Sequence, residues 1–267
     1  MAPVASVRDR LTDALLTQGR VIMALVLREM RTRFGQSQIG YAWAMSEPMV
    51  HILALTLIAT ALQRRPAIGD STEVFMFCGI LPFLLVRNIS TKTAVAVSSN
   101  GPLLTYPLVK PVDTFLARIL LETLTMMVSA VLTGLIFLAI GIDVWPDDSL
   151  NYLIAFAVSV LLGAGIGVAS AVVISVFSAW RTVLGWLFRV LYFTSGVFVV
   201  IDDLPPGARD ILALNPLAHC VVWFHTAQFE EYNSLILDKS YVILWGAGLL
   251  TFGFTAERAL RRWTQDK

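Results

Sequence analysis

Six stretches of the chain are long and apolar enough to cross a bilayer, which takes about 20 mostly apolar residues. They run over 42–62, 74–91, 114–140, 150–178, 182–201 and 240–256. The fourth and sixth carry no charge. The first opens with Glu47 and Pro48, the second holds Arg87, the third Arg118 and Glu122, and the fifth Arg189. A seventh apolar stretch, 211–229, is interrupted by Asn215–Pro216 and contains His219 and His225. Proline disfavours helix at the residue before it, so this stretch reads as a broken, re-entrant hairpin. Such backbone is tolerated at membrane depth only where protein or a water-filled cavity surrounds it. The pattern predicts an all-α membrane protein with six transmembrane helices and a re-entrant helical hairpin before the last span.

Two amphipathic segments flank the spans. In 20–34, Val21, Ile22, Leu25 and Val26 recur at helical spacing among Arg20, Arg28, Arg31 and Arg33. That is the pattern of an interface helix lying in a headgroup layer; a soluble N-terminal helix is the plainer alternative. Between the second and third spans, 98–108 is polar, then short and amphipathic, and Pro107 and Pro111 close it. It fits a brief helix lying across one face of the membrane.

Lys and Arg mark the inner side. With both termini in the cytoplasm, the arginines of 8–33, Lys92, Lys110, Arg118, Arg181 and the Arg258–Lys267 tail all fall inside or near it. Arg64, Arg65, Arg209 and Lys239 fall outside, where Asp143, Asp147, Asp148, Asp202, Asp203, Glu230 and Glu231 gather. Counting 211–229 as a full span would place the basic tail outside. The first residues show charges and no apolar core, so no cleavable signal peptide is expected.

Composition agrees with a bilayer protein. Of 267 residues, 57 % are hydrophobic and 15 % charged, against about 25 % charged in soluble domains. The net charge of +1 offers no field for nucleic acid. Cys78 and Cys220 have no metal-site spacing, and His51, His219 and His225 are scattered, so neither a metal nor a catalytic constellation is expected. A nucleotide loop needs Gly-Lys-Ser/Thr; the lysines are Lys92, Lys110, Lys239 and Lys267, and none follows a glycine. Gly163-Ala164-Gly165-Ile166-Gly167 lies within the fourth span and reads as close helix packing.

The intramembrane charges divide into two kinds of expectation. Arg118 and Glu122, four residues apart, read as a pair on one helix face. Arg87 and Arg189 lie deeper and must face a partner, snorkel, or open to a polar cavity. Trp180, Trp186, Phe188, Tyr192, Phe193, Phe198, Trp223, Phe224 and Phe229 crowd the fifth span and the hairpin. They fit an interface belt or a stripe on which sugar rings could stack.

The order of these parts resembles a known family. Arg31-x-Arg33-Phe34, Gly40-Tyr41-Ala42-Trp43 and Glu47-Pro48 resemble the opening of the membrane subunit of ABC-2 type polysaccharide exporters, with Ile39 at a position where that pattern has Leu. Ser195-Gly196-Val197-Phe198, Leu204-Pro205-Pro206 and Asn215-Pro216-Leu217-Ala218-His219 look like its capsular-polysaccharide branch. The likeness covers nearly the whole chain, and order and spacing carry it more than any single motif.

The resemblance implies an inner-membrane homodimer driven by two separate ATP-binding cassette subunits, with ATP and Mg held there and no cofactor in this chain. It implies a coupling helix at 101–108, with Gly101, Pro102, Leu103, Leu104, Thr105 and Tyr106 acting alongside Arg31 and Arg33, and a periplasmic hairpin at 204–229. It further implies a lipid-linked glycan as substrate, a periplasmic adaptor and an outer-membrane export channel. The substrate path would then involve Trp43, Arg87, Arg189, Tyr192, Phe193, Phe198, Trp223 and Phe224. Export of O-antigen, teichoic acid or a small lipophilic compound is the nearest alternative. A membrane-embedded glycan-processing enzyme, for which Asp202–Asp203 is the only adjacent acidic pair in the hairpin, is the alternative of another class.

Overall fold

A computed structural model describes residues 7–34, 38–62 and 68–265, with side chains placed over 16–32, 46, 48–62 and 68–260. Among these residues every regular element is helical. In chain order they are α1 (Val7–Phe34), α2 (Gln38–Ala61), α3 (Thr72–Thr93), α4 (Ala96–Ser99), a 3-10 turn (Gly101–Thr105), α5 (Pro111–Ala139), α6 (Ser149–Val176), α7 (Trp180–Thr194), a second 3-10 turn (Ile201–Asp203), α8 (Pro206–Leu212), α9 (Pro216–Gln228) and α10 (Lys239–Gln265).

Local chemistry sets the ends. The Ser71 hydroxyl accepts from the Val74 N–H at 3.3 Å and caps α3, with Glu73 in the first turn where the helix dipole favours an anion. Pro111 opens α5, and the Asp113 carboxylate accepts from the Lys110 N–H at 2.8 Å. Asp148 caps α6 by accepting from the Asn151 N–H at 2.9 Å; that bond, foremost, lowers the Asp148 pKa. Asn215 accepts from the Leu217 N–H at 3.0 Å, so the Asn-Pro pair that interrupts the apolar stretch is the start of α9.

Among the described residues three helices, α3, α5 and α6, are long and apolar enough to cross a membrane, and α2 contributes a shorter apolar stretch, Pro48–Ala61. The fifth expected window, 182–201, is not one continuous helix. α7 stops at Thr194, and Gly196 turns the chain at φ 78°, a conformation that favours glycine. Its 15 residues span about 22 Å, short of the roughly 30 Å hydrocarbon core.

The central element is α3. Of its apolar window 83 % is buried, against 61 % in α6 and 33 % in α5. It packs on α6, α9, α2, α5 and α7. The outward face of α5 shows Leu116, Leu120, Leu124, Met127, Val131, Leu135 and Leu138, an apolar stripe too large for a surface in water. Its inward hydroxyls bond back along the helix: Thr125 to the Leu121 carbonyl at 2.8 Å, Ser129 to Thr125 at 2.9 Å and Thr133 to Ser129 at 2.8 Å. These three hydroxyls are thereby satisfied without water.

Glycines of α6 serve two neighbours. A Cβ at Gly163 or Gly167 would stand 3.0 Å from Ile89 or 2.7 Å from Thr93, both on α3, and one at Gly165 would stand 2.5 Å from the Gly246 carbonyl of α10. The Ser90 hydroxyl donates to the Gly163 carbonyl at 3.1 Å. Arg118 forms its ion pair with Glu29 of α1 at 2.5 Å, a partner 89 residues away that helical spacing from Glu122 does not suggest.

Candidate functional site

α2, α3 and α7 converge on a cleft of about 330 Å³. α3 supplies Phe83, Arg87, Asn88, Thr91 and Lys92; α7 supplies Gly185, Phe188, Arg189 and Tyr192; α2 supplies His51. Helical geometry explains the set. Phe83, Arg87 and Thr91 are four apart on α3, and Gly185, Arg189 and Tyr192 are four and three apart on α7, so each series shares one face. A Cβ at Gly185 would meet nothing within 4 Å, which leaves that wall open.

Three side chains of the lining are basic, and among the described residues none is a carboxylate. Arg87 is exposed into the cleft and makes no ion pair among the described residues. Arg189 lies over the Trp186 ring, 4.8 Å from its centroid, a cation–π contact that holds the guanidinium without neutralising it. His51 and the Tyr192 hydroxyl are 2.7 Å apart, and this pair joins α2 to α7. The Tyr192 ring packs on Phe83 at 4.5 Å, Phe198 at 5.0 Å and Phe193 at 5.7 Å. A concentration of cations at a low-dielectric wall attracts anions. Phe83 and Phe188 are buried and fill that wall, Tyr192 is half-buried, and Phe193, 71 % exposed, offers an open aromatic face to the apolar C–H side of a sugar ring.

Phe193 and Phe198 continue from Tyr192 into a neighbouring apolar cleft of about 460 Å³ with Leu55, Ile58, Leu62 and Met76. Thus Arg87, Arg189, Tyr192, Phe193 and Phe198 lie together along one side of the molecule. Trp43, whose side chain lies outside the described residues, has no place assigned. Trp223 and Phe224 lie apart from both clefts. They are 2 % and 0 % exposed; Phe224 packs on Tyr152 at 4.7 Å, and the Lys239 ammonium sits 4.9 Å over Trp223. Sequence inspection missed Phe83, Asn88, Thr91, Lys92, Gly185 and the His51–Tyr192 contact. The spacing around Arg87 and Arg189 was the available signal.

The two remaining histidines are structural. The Asp238 N–H donates to His219 Nδ1 at 3.0 Å, so the ring proton is on Nε2, which donates to the Ala213 carbonyl at 2.7 Å. His225 stacks on Phe75 at 4.6 Å and reaches the Phe75 carbonyl at 3.2 Å. Asp202 accepts from the Tyr232 hydroxyl and, at 3.0 Å, from the Leu235 N–H. Burial first, and then this carboxylate, raise the Tyr232 pKa. Among the described residues no three His, Cys, Asp or Glu side chains gather as a metal site.

At another place on the molecule, Gly101–Thr105 forms a single 3-10 turn. Tyr106 and Leu108 behind it are 61 % and 68 % exposed, an apolar pair presented outward. Arg31 is exposed on α1; the Arg33 side chain lies outside the described residues.

Residues 20–229 match the ABC-2 type transporter family, and the chain belongs to it. It is similar to the polysialic acid transport protein KpsM of Escherichia coli, with 33 % identity over 237 residues, 89 % of this chain and 92 % of the relative. The capsule polysaccharide export inner-membrane protein CtrC of Neisseria meningitidis serogroup B is 27 % identical over 241 residues, 90 % of this chain and 91 % of the relative. The O-antigen export system permease protein RfbA of Myxococcus xanthus is 24 % identical over 250 residues, 89 % of this chain and 94 % of the relative.

Proposed function

We propose that this chain is the permease subunit of an ATP-driven exporter that carries lipid-linked capsular polysaccharide across the inner membrane. The cleft of Arg87, Lys92, Arg189 and Tyr192 carries the reading. Its cations suit the phosphate or carboxylates of an acidic glycan, and the run Tyr192–Phe193–Phe198 gives sugar rings a surface to slide along. The names of KpsM and CtrC supply the class of cargo. RfbA, named for O-antigen export, keeps a second glycan class in view.

In this reading six segments cross the membrane, both termini are cytoplasmic, and the region 204–229 re-enters from the periplasmic side. Two copies of the chain enclose the path. Each works with an ATP-binding cassette subunit that holds ATP and Mg and pushes on 101–106 and on the α1 end near Arg31 and Arg33. A periplasmic adaptor and an outer-membrane channel receive the glycan. Closing of the ATPases would displace the turn, spread α2 and α7, and open the cleft toward the glycan.

Deleting the gene in a capsulated cell should abolish surface polysaccharide and leave the polymer inside, and the intact gene should restore it. Surface capsule at the wild-type level in the deletion would sink the proposal; loss of O-antigen with normal capsule would shift it to the second glycan. Topology has its own check. In a variant lacking Cys78 and Cys220, Asp70→Cys and Asp147→Cys should react with an impermeant thiol reagent from the periplasm, and Gly101→Cys should not. Labelling of the last from outside would overturn the six-span arrangement.

A further inference from the structure

α1, the 101–105 turn and α5 meet around one buried amide. Asn100 is 3 % exposed and stands directly before the turn. Its Nδ2 donates to Glu29 Oε1 at 2.8 Å and to the Ala96 carbonyl at 2.9 Å, and its Oδ1 accepts from Arg28 Nη1 at 2.8 Å. Glu29, 5 % exposed, gives its second oxygen to Arg118 Nη2 of α5 at 2.5 Å. Both ends of one side chain are therefore spent on consecutive residues of α1, and the Glu29 carboxylate carries the connection on to α5. Leu25 and Val26 of α1 pack against Ala117 and Leu121 of α5 beside it, with Leu103 of the turn at the margin. Toward the start of α5, the Gln18 side-chain amide donates to Asp113.

Apolar contact alone would hold these three elements together. It is non-directional and would let a short turn roll over α1. A buried charged network is weak evidence for stability, since apolar groups of the same volume often do as well. What it supplies is one fixed geometry, because every alternative leaves a buried charge or amide unpaired. That property matters most where displacement of one element must become displacement of another.

We infer that Asn100 is a positioning residue that clamps the 101–105 turn to α1 and α5, so that a push on the turn moves all three as one body. The inference rests on the proposal that a separate ATPase drives this chain. The clamp governs how much export each round of ATP hydrolysis yields; hydrolysis itself takes place on the partner. Arg28 is its outer jaw, Glu29 and Arg118 its inner one.

The test uses the complex purified with its ATPase, for assembly and hydrolysis, and surface polysaccharide of the same cells, read by periodate oxidation and an impermeant hydrazide label. Asn100→Leu should assemble and hydrolyse ATP near the wild-type rate while surface label falls by at least about fivefold, the scale of one lost coupling. Wild-type label at wild-type hydrolysis would overturn the clamp. If Asn100→Leu fails to assemble, the half-exposed Arg28 decides. Arg28→Leu should lower label at unchanged hydrolysis, and Arg28→Lys, which keeps a donor for Asn100 Oδ1, should restore it; equal label in both would overturn the inference. Export that persists when the ATPase is deleted would sink the proposed function itself, a result distinct from any of these.

Discussion

The α6–α10 seam and the α2–α3–α7 cleft use the same residue for opposite ends. In the seam a Cβ at Gly165 would lie 2.5 Å from the Gly246 carbonyl, one at Gly246 would lie 2.9 Å from Leu161, and one at Gly253 would lie 2.8 Å from the Ala169 nitrogen. Backbone touches backbone, and the helices lock by dispersion, the main attraction available between helices in lipid. In the cleft, a Cβ at Gly185 would meet nothing within 4 Å, and Arg87 and Arg189 stand exposed beside it. Absence of a side chain closes one region and opens the other. The first can hold a helix pair rigid; the second leaves room for something that arrives from outside the chain.

The comparison breaks most sharply at Gly165. Gly165→Val would drive branched methyl groups into the α10 backbone, which has no rotamer to yield, and overpacking of this kind costs about 3 kcal/mol. A large fall in detergent-extracted yield and in melting temperature is expected, with export lost as a consequence. Wild-type melting would mean that the seam is looser than its geometry. Gly185→Leu asks the reverse. Leucine favours helix over glycine by roughly 0.5–1 kcal/mol, and the open wall takes the side chain without a clash. Melting should be unchanged or slightly raised, while surface polysaccharide falls because the cleft is plugged. Undiminished export would place the glycan elsewhere.

Much of this was legible from residue order. Apolar length marks α3, α5 and α6, and the Asn215-Pro216 break marks the start of α9, because capping and proline chemistry are local. The Gly163–Gly167 run signals close packing, but not that Gly163 and Gly167 serve α3 while Gly165 serves α10. Arg118 shows the limit more clearly. Glu122 sits one turn away on its own helix, and helical spacing made it the natural partner. The chain supplies Glu29 from α1, a choice fixed by how α1 docks on α5. The candidate path was half legible for the same reason. Arg87, Arg189 and Tyr192 meet in one cleft, whereas Trp223 and Phe224, chosen for aromatic character alone, are buried by α9 packing. Composition cannot distinguish an aromatic ring that fills a core from one that faces a cavity.

The smallest effect on the fold, and the one that decides what the cleft is for, is expected at Arg87. Arg118 and Arg87 are both arginines in apolar helices, yet the first has Glu29 at 2.5 Å and the second opens into the cleft with no ion pair among the described residues. Removing one partner of a buried pair leaves a stranded charge and costs about 3–5 kcal/mol. Arg87→Gln strands nothing that is described, so its effect on stability should stay within about 0.5 kcal/mol, the range of an exposed substitution. Glutamine keeps the start of the aliphatic stem and a hydrogen-bond donor and deletes the charge with the outer part of the guanidinium. If the cleft receives an anionic glycan by its charge, yield and melting should match wild type while surface polysaccharide falls, and Arg87→Lys should recover part of it, since an ammonium restores the charge without the guanidinium fork. Low yield together with low capsule would instead make Arg87 half of a structural pair with an acid whose side chain is not described, Glu47 being one on the adjoining helix. Normal yield with normal capsule would remove Arg87 from the path and leave the aromatic run from Tyr192 to Phe198 as the surface on which the glycan moves.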